Sequence, residues 1–201
     1  MEKIKNRNEF LTRDEAEKLL IEAESHNQGK WVDHSRNVAI CAGKIAMACG
    51  MDSEKAYALG LLHDIGRRFG TRHLGHVYDG YKYMLSLGYV DAAKICLTHS
   101  FPNHDFNVFF GKKDITAEEQ QEIIDRLNET VFDDYDKLIQ LCDGLGSAEG
   151  VVDIEERMQD IKNRYGSYPQ VQWDKIMELK AYFESKAKVQ SIYDICEKTV
   201  K

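Results

Sequence analysis

An all-α fold is what this sequence predicts, and three observations carry it. Apolar residues recur at helical rather than strand spacing along most of the chain. Only two prolines, Pro102 and Pro169, interrupt its 201 residues, and no strong β-hairpin signal appears. Two capping boxes, Thr12-Arg-Asp-Glu15 and Thr116-Ala-Glu-Glu119, mark helix starts.

The first box opens a helix that runs to about Ser25. A second helix spans about Lys30 to Cys49, with Val38, Cys41, Ala42 and Ile45 as its apolar stripe and Gly50 closing it. Ser53 caps a third, which carries Ala56, Leu59 and Leu62 up to His63-Asp64. The stretch from Gly66 to Gly75, rich in Gly and Arg, reads as a connector. A fourth helix follows His76, with Tyr81, Met84 and Leu85 apolar, and stops at Gly88. A fifth runs from Val90 to about His99 and ends before Pro102. Residues 101–114 have no clear period and read as a loop over the site. Helices over about 117–129 and 134–143 follow. Two or three more, over about 153–164 and 171–198, read as packing around the core. With no internal repeat, low-complexity tract or linker, residues 1–201 are expected to form one domain.

Composition narrows the function. Hydrophobic residues make up 43%, enough for a sizeable core. Lys plus Arg is 27 against 34 Asp plus Glu, a net charge of −7. That charge disfavours long nucleic acid, whose binding rests on phosphate neutralisation. It leaves room for a small nucleotide, because a bound dication reverses the local field. No apolar run is long enough for a bilayer, and Met1 to Arg7 lacks the apolar stretch of a secretory signal. A cytoplasmic protein is expected. Five cysteines, Cys41, Cys49, Cys96, Cys142 and Cys196, contain no C-x-x-C pair. They read as thiols in a reducing compartment, not as disulfides or a zinc site.

The chemistry gathers at His63-Asp64, which ends the apolar run Ala58 to Leu62 and precedes Ile65-Gly66-Arg67-Arg68. Neighbouring helical side chains diverge by about 100°. Both can reach one ion only at a helix end, where Ile65-Gly66 supplies a turn. His34 lies four residues before Val38 on the apolar stripe, and Asp143 sits among Leu141, Cys142 and Leu145, where an unpartnered carboxylate is costly. Singly, these residues read as a core histidine, a capping or salt-bridge acid, and an arginine's partner. Together they offer neutral imidazoles and carboxylates, the donor mix of a metal site.

His34, His63-Asp64 and Asp143 resemble the H…HD…D pattern of the HD-domain superfamily of metal-dependent phosphohydrolases, over roughly residues 30 to 145. The resemblance implies an HD-domain helical bundle with additional C-terminal helices, and one or two divalent ions (Fe, Mn, Co, Ni or Zn). Members with two ions add one histidine that starts a helix, with Gly four residues on, and another that ends the next helix. His76, with Gly80, and His99 look like these two, and Asp64 would then bridge the ions. The chain departs from one subgroup, which has two adjacent histidines at the later position. His99-Ser100 stands there instead, leaving water or His104 to complete the second ion's shell. Apart from the pattern, His76 reads as a helix-start residue and His99 as a histidine favoured by a helix C-terminus.

The resemblance implies hydrolysis of a small phosphorylated substrate, a nucleotide foremost, by metal-activated water. One HD subgroup cleaves dinucleoside tetraphosphates. Arg67, Arg68 and Arg72 follow the doublet and suit bidentate phosphate contacts, and His73 could face the cleft. Lys112 and Lys113 could also meet an anion, or be merely solvated. Two alternatives stay open: a mixed-valence di-iron oxygenase using the same ligands, and a non-catalytic nucleotide-sensing module.

Overall fold

Several helix starts follow from a side chain that can take the free N–H groups of a first turn. In a computed structural model, which describes residues 11–197, Thr12 closes its capping box on Glu15 and opens α1, Arg13–His26. Thr116 does the same with Glu119 for α6, Ala117–Glu129. The stretch Met1 to Arg7 lies outside the described residues. So does residue 198, but the helix expected to run that far stops at Ala187, where Lys188 takes a left-handed conformation.

Between them run α2, Trp31–Ala48, α3, Ser53–Leu62, α4, Gly75–Ser86, and α5, Val90–Thr98. After α6 come α7, Asp134–Leu145, α8, Ile154–Tyr165, and α9, Gln170–Ala187. The stripe of Val38, Cys41, Ala42 and Ile45 is buried, and Gly50, at φ 70°, ends α2 in the left-handed conformation glycine favours.

Several details differ from the sequence reading. The cap of α3 is Asp52, not Ser53: its carboxylate accepts from the N–H groups of Glu54 and Lys55 at 3.0 Å each. The helix α4 starts at Gly75, so His76 is inside its first turn. Its buried face runs through Val77, Gly80 and Met84, which leaves Leu85 exposed rather than in the stripe. The connector holds a 3-10 turn, Ile65–Phe69. Two residues per strand, Gly146–Ser147 and Gly150–Val151, pair antiparallel after α7, too short to leave any alternation in the sequence.

Small residues bring α2 and α3 close. A Cβ on Gly60 would lie 3.0 Å from the Ala39 Cα. Against this pair pack α1 and α7, and one apolar core runs from Ala16 on α1 through Leu62, Leu141 and Phe183 to Cys196. A second cluster, including Leu74, Leu97, Phe101, Phe106 and Ile123, fastens the 101–114 segment and α6. No helix among the described residues is long and apolar enough to cross a membrane.

The 3-10 turn is laid directly on α4. A Cβ on Gly66 would lie 2.0 Å from the His76 carbonyl oxygen and 2.5 Å from the Gly80 nitrogen, both backbone atoms. Gly66→Ala must therefore push the turn off α4. We expect it to destabilise the protein by at least about 3 kcal/mol in denaturant titration, whereas an alanine at Gly50, which meets nothing within 4 Å, should cost less.

Candidate metal centre

The side chains that meet at the centre come from helix ends and the turns that join them. His34 is in the first turn of α2, His63 caps the C-terminus of α3, and Asp64 joins α3 to the 3-10 turn. His76 lies in the first turn of α4, His99 caps the C-terminus of α5, and Asp143 is in the last turn of α7. Ending α3 at Leu62 lets His63 and Asp64 turn to the same point, which a continuous helix would forbid.

The six side chains converge. His34 Nε2 lies 3.1 Å from Asp143 Oδ1 and 3.2 Å from His63 Nε2. His63 Nε2 is 3.8 Å from Asp143 Oδ1 and 3.9 Å from Asp64 Oδ2. On the other side, Asp64 Oδ1 is 3.0 Å from His76 Nε2 and 3.6 Å from His99 Nε2, and those two nitrogens are 3.2 Å apart. The donors thus form two groups, His34–His63–Asp64 and Asp64–His76–His99, that share Asp64. One Asp64 oxygen faces each group.

The rings are oriented for ligation. His34 Nδ1 lies 3.0 Å from the Gly146 carbonyl, His63 Nδ1 2.7 Å from that of Gly60, and His99 Nδ1 2.9 Å from that of Cys96. His76 Nδ1 meets the carbonyl of His73. A carbonyl only accepts, so each Nδ1 carries the proton and each Nε2 of a neutral ring presents a lone pair. Facing lone pairs 3.2 Å apart repel unless a cation lies between them. Separations of 3.0–3.9 Å suit adjacent corners of a shell with bond lengths near 2.1 Å. The donor set therefore fits first-row divalent ions.

Electrostatics agree. Burial pushes His99 down to about 3, and burial likewise lowers His63, so both stay neutral at pH 7. Burial would raise Asp64, but the Arg67 guanidinium, with Nε 2.5 Å from Oδ2, counters it and the carboxyl lies well below its usual range. Asp143 is also lowered, its burial outweighed by His34 and His63 in their charged forms. Its side chain is not enclosed as the sequence suggested: 33% is exposed, and it lines a cavity. Its partners are these histidines.

That cavity, of about 660 Å³, has the centre in its wall. Arg67, Arg72 and His73 line it. Arg72 is held by Asp79 at 2.6 Å and by the Asp114 carbonyl at 2.8 Å. Arg68 does not line it; its guanidinium forks onto Glu22 at 2.6 and 2.8 Å and lies over Tyr83. His104 sits against Phe132 outside the cavity and does not join the second donor group. Lys112 and Lys113 are likewise absent from its lining. The 101–114 segment contributes Pro102, Phe109, Phe110 and Gly111. The C-terminal helices do more than pack: Arg157 and Met158 of α8, Tyr168, and Gln172 and Ile176 of α9 form a wall of the cavity. Sequence reasoning missed these, and Gln140 as well. Only Gln140 left a signal, three residues before Asp143 and so on the same helix face.

A family model described as HD domain matches residues 31–147, more than half the chain. No curated protein and no solved structure matches.

The metal-free protein should lose stability on acidification. His63 and His99 have folded-state values below the ordinary 6.5, so the unfolded chain binds more protons and folding weakens as pH falls. The loss should begin near pH 6.5 and continue toward 3. Denaturant midpoints of chelated protein across this range test it; a flat profile would contradict the neutral, buried rings.

Proposed function

The chain belongs to the HD domain family, whose members are mostly metal-dependent phosphohydrolases, and we propose that it hydrolyses a small phosphorylated substrate, a nucleotide foremost, at a centre of two divalent ions. The observation that carries this reading is the shared Asp64: one oxygen faces His63 and the other faces His76 and His99. His34, His63, Asp64 and Asp143 would hold one ion, and Asp64, His76 and His99 the other. Such ions supply Lewis acidity and an activated water, which suits attack at phosphorus.

The remaining residues hold and position. Arg67 keeps Asp64 ionised through the 2.5 Å contact. Arg67, Arg72 and His73 line the cavity beside the centre, where phosphate oxygens would need cations and donors. Arg157 brings a further guanidinium to the cavity from α8. Arg68 has no part in this proposal because Glu22 holds it outside the cavity. The five free cysteines suit the cytoplasm.

Protein loaded with Mn²⁺ should release phosphate from a nucleotide or another phosphate ester without oxygen. Asp64→Ala should lower that rate by more than about 100-fold, since even the outer partners of metal ligands cost 10–100-fold. No phosphate release with any divalent ion, together with a mixed-valence iron signal and oxygen uptake, would replace this reading with a di-iron oxygenase.

The two groups should also separate by metal content. Elemental analysis should give about two ions per chain in the wild type and about one in His76→Ala. Two retained ions in that variant would exclude His76 as a ligand.

A further inference from the structure

Two buried glutamines in the cavity lining are incompletely bonded. Gln140 on α7 and Gln172 on α9 are each 2% exposed, and both line the cavity. The amide of Gln140 is oriented by its Nε2, which donates to the Thr98 carbonyl at 3.0 Å. Its Oε1, and that of Gln172, has no hydrogen-bond partner among the described residues. An acceptor left buried and unpaired is costly. Two such acceptors, on side chains that line one cavity, are a reason to look for a ligand that donates.

The same wall carries apolar surface from Met158 and Ile176, the Tyr168 ring and the Arg157 guanidinium. Arg157 forms no ion pair among the described residues, unlike Arg67, Arg68 and Arg72. Apart from Gln140, all of these residues lie beyond 147, outside the matched family region, whereas the metal-type donors lie within it.

We infer that this wall, with Gln140, selects the organic part of the substrate, and that this part bears at least two hydrogen-bond donors, hydroxyl or amino groups, on an apolar ring. The inference rests on the phosphate-ester reading above. A sugar phosphate and an aminated nucleobase share the required chemistry. A simple aryl or alkyl phosphate lacks it.

The test uses full-length Mn²⁺-loaded protein and calorimetric binding of four probes, with phosphate release followed in the same samples. The probes are ribose 5-phosphate, adenosine 5′-monophosphate, 2′,3′-dideoxyadenosine 5′-monophosphate and phenyl phosphate. At least one donor-bearing probe should bind at least about tenfold more tightly than phenyl phosphate, the usual worth of one well-made hydrogen bond. Ribose 5-phosphate and the dideoxynucleotide tell hydroxyl from amino recognition. Gln172→Met, of similar length but without an acceptor, should reduce the preference about tenfold while keeping the melting temperature.

Equal binding of phenyl phosphate and every other probe by the wild type overturns the inference, even if the variant fails to fold. So does a folded Gln172→Met protein whose preference is unchanged. Selective binding without phosphate release would remove the hydrolase reading and leave the wall standing. Phosphate release without selectivity would do the reverse.

Discussion

Four backbone carbonyls hold the centre together. Those of Gly60, His73, Cys96 and Gly146 each meet a ring Nδ1, and this leaves every Nε2 turned inward. The source of three of these carbonyls is general. The last turn of an α-helix leaves its carbonyls without intrahelical partners. Gly60 and Cys96 lie in the last turns of α3 and α5, and Gly146 follows α7 directly. The same bonds that satisfy helix ends thus select the tautomer a metal ligand needs.

That arrangement depends in turn on close backbone approach. Gly60 lets α3 settle on Ala39 of α2, which carries His34, and Gly66 lets the 3-10 turn rest on His76 and Gly80 of α4. A side chain at Gly60 would separate the elements that carry His34 and His63, and one at Gly66 those that carry Asp64 and His76. The break in helix geometry after Leu62 is as necessary as the helix before it, because only there can two adjacent residues face one point. Arg67, in the same turn, then counters the cost of burying the Asp64 carboxylate.

The centre and the cavity wall divide the molecule's labour. The family-matched segment brings the donors together, and the later helices enclose the space in front of them. The wall mixes apolar and aromatic surface with a few polar groups, the usual composition of a small-molecule site. The aromatic residues Phe109 and Phe110 close another side, on a segment anchored by Phe101 and Phe106 in the second apolar cluster.

Local chemistry explains why much of this was legible in the sequence. Capping boxes at Thr12 and Thr116, the α2 stripe and the glycine stop at Gly50 are signals within a few residues of the structure they cause. The turn of His63 and Asp64 toward one point was legible because the pair sits at a helix end that its own neighbours create. The ion-pair partners of the arginines were not. Three guanidiniums follow the doublet within a few residues, yet Arg67 turns to Asp64, Arg72 to Asp79 and Arg68 to Glu22. Glu22 is 46 residues away, and only packing of α1 on the 3-10 turn brings it near. The same holds for Arg157, Tyr168 and Gln172, which carry no periodic or motif signal and gain meaning only once α8 and α9 pack beside α7. Helix formation and capping are settled among residues three or four apart. Which acid Arg68 meets, and what faces a cavity, is settled by contacts between distant segments that no local pattern encodes.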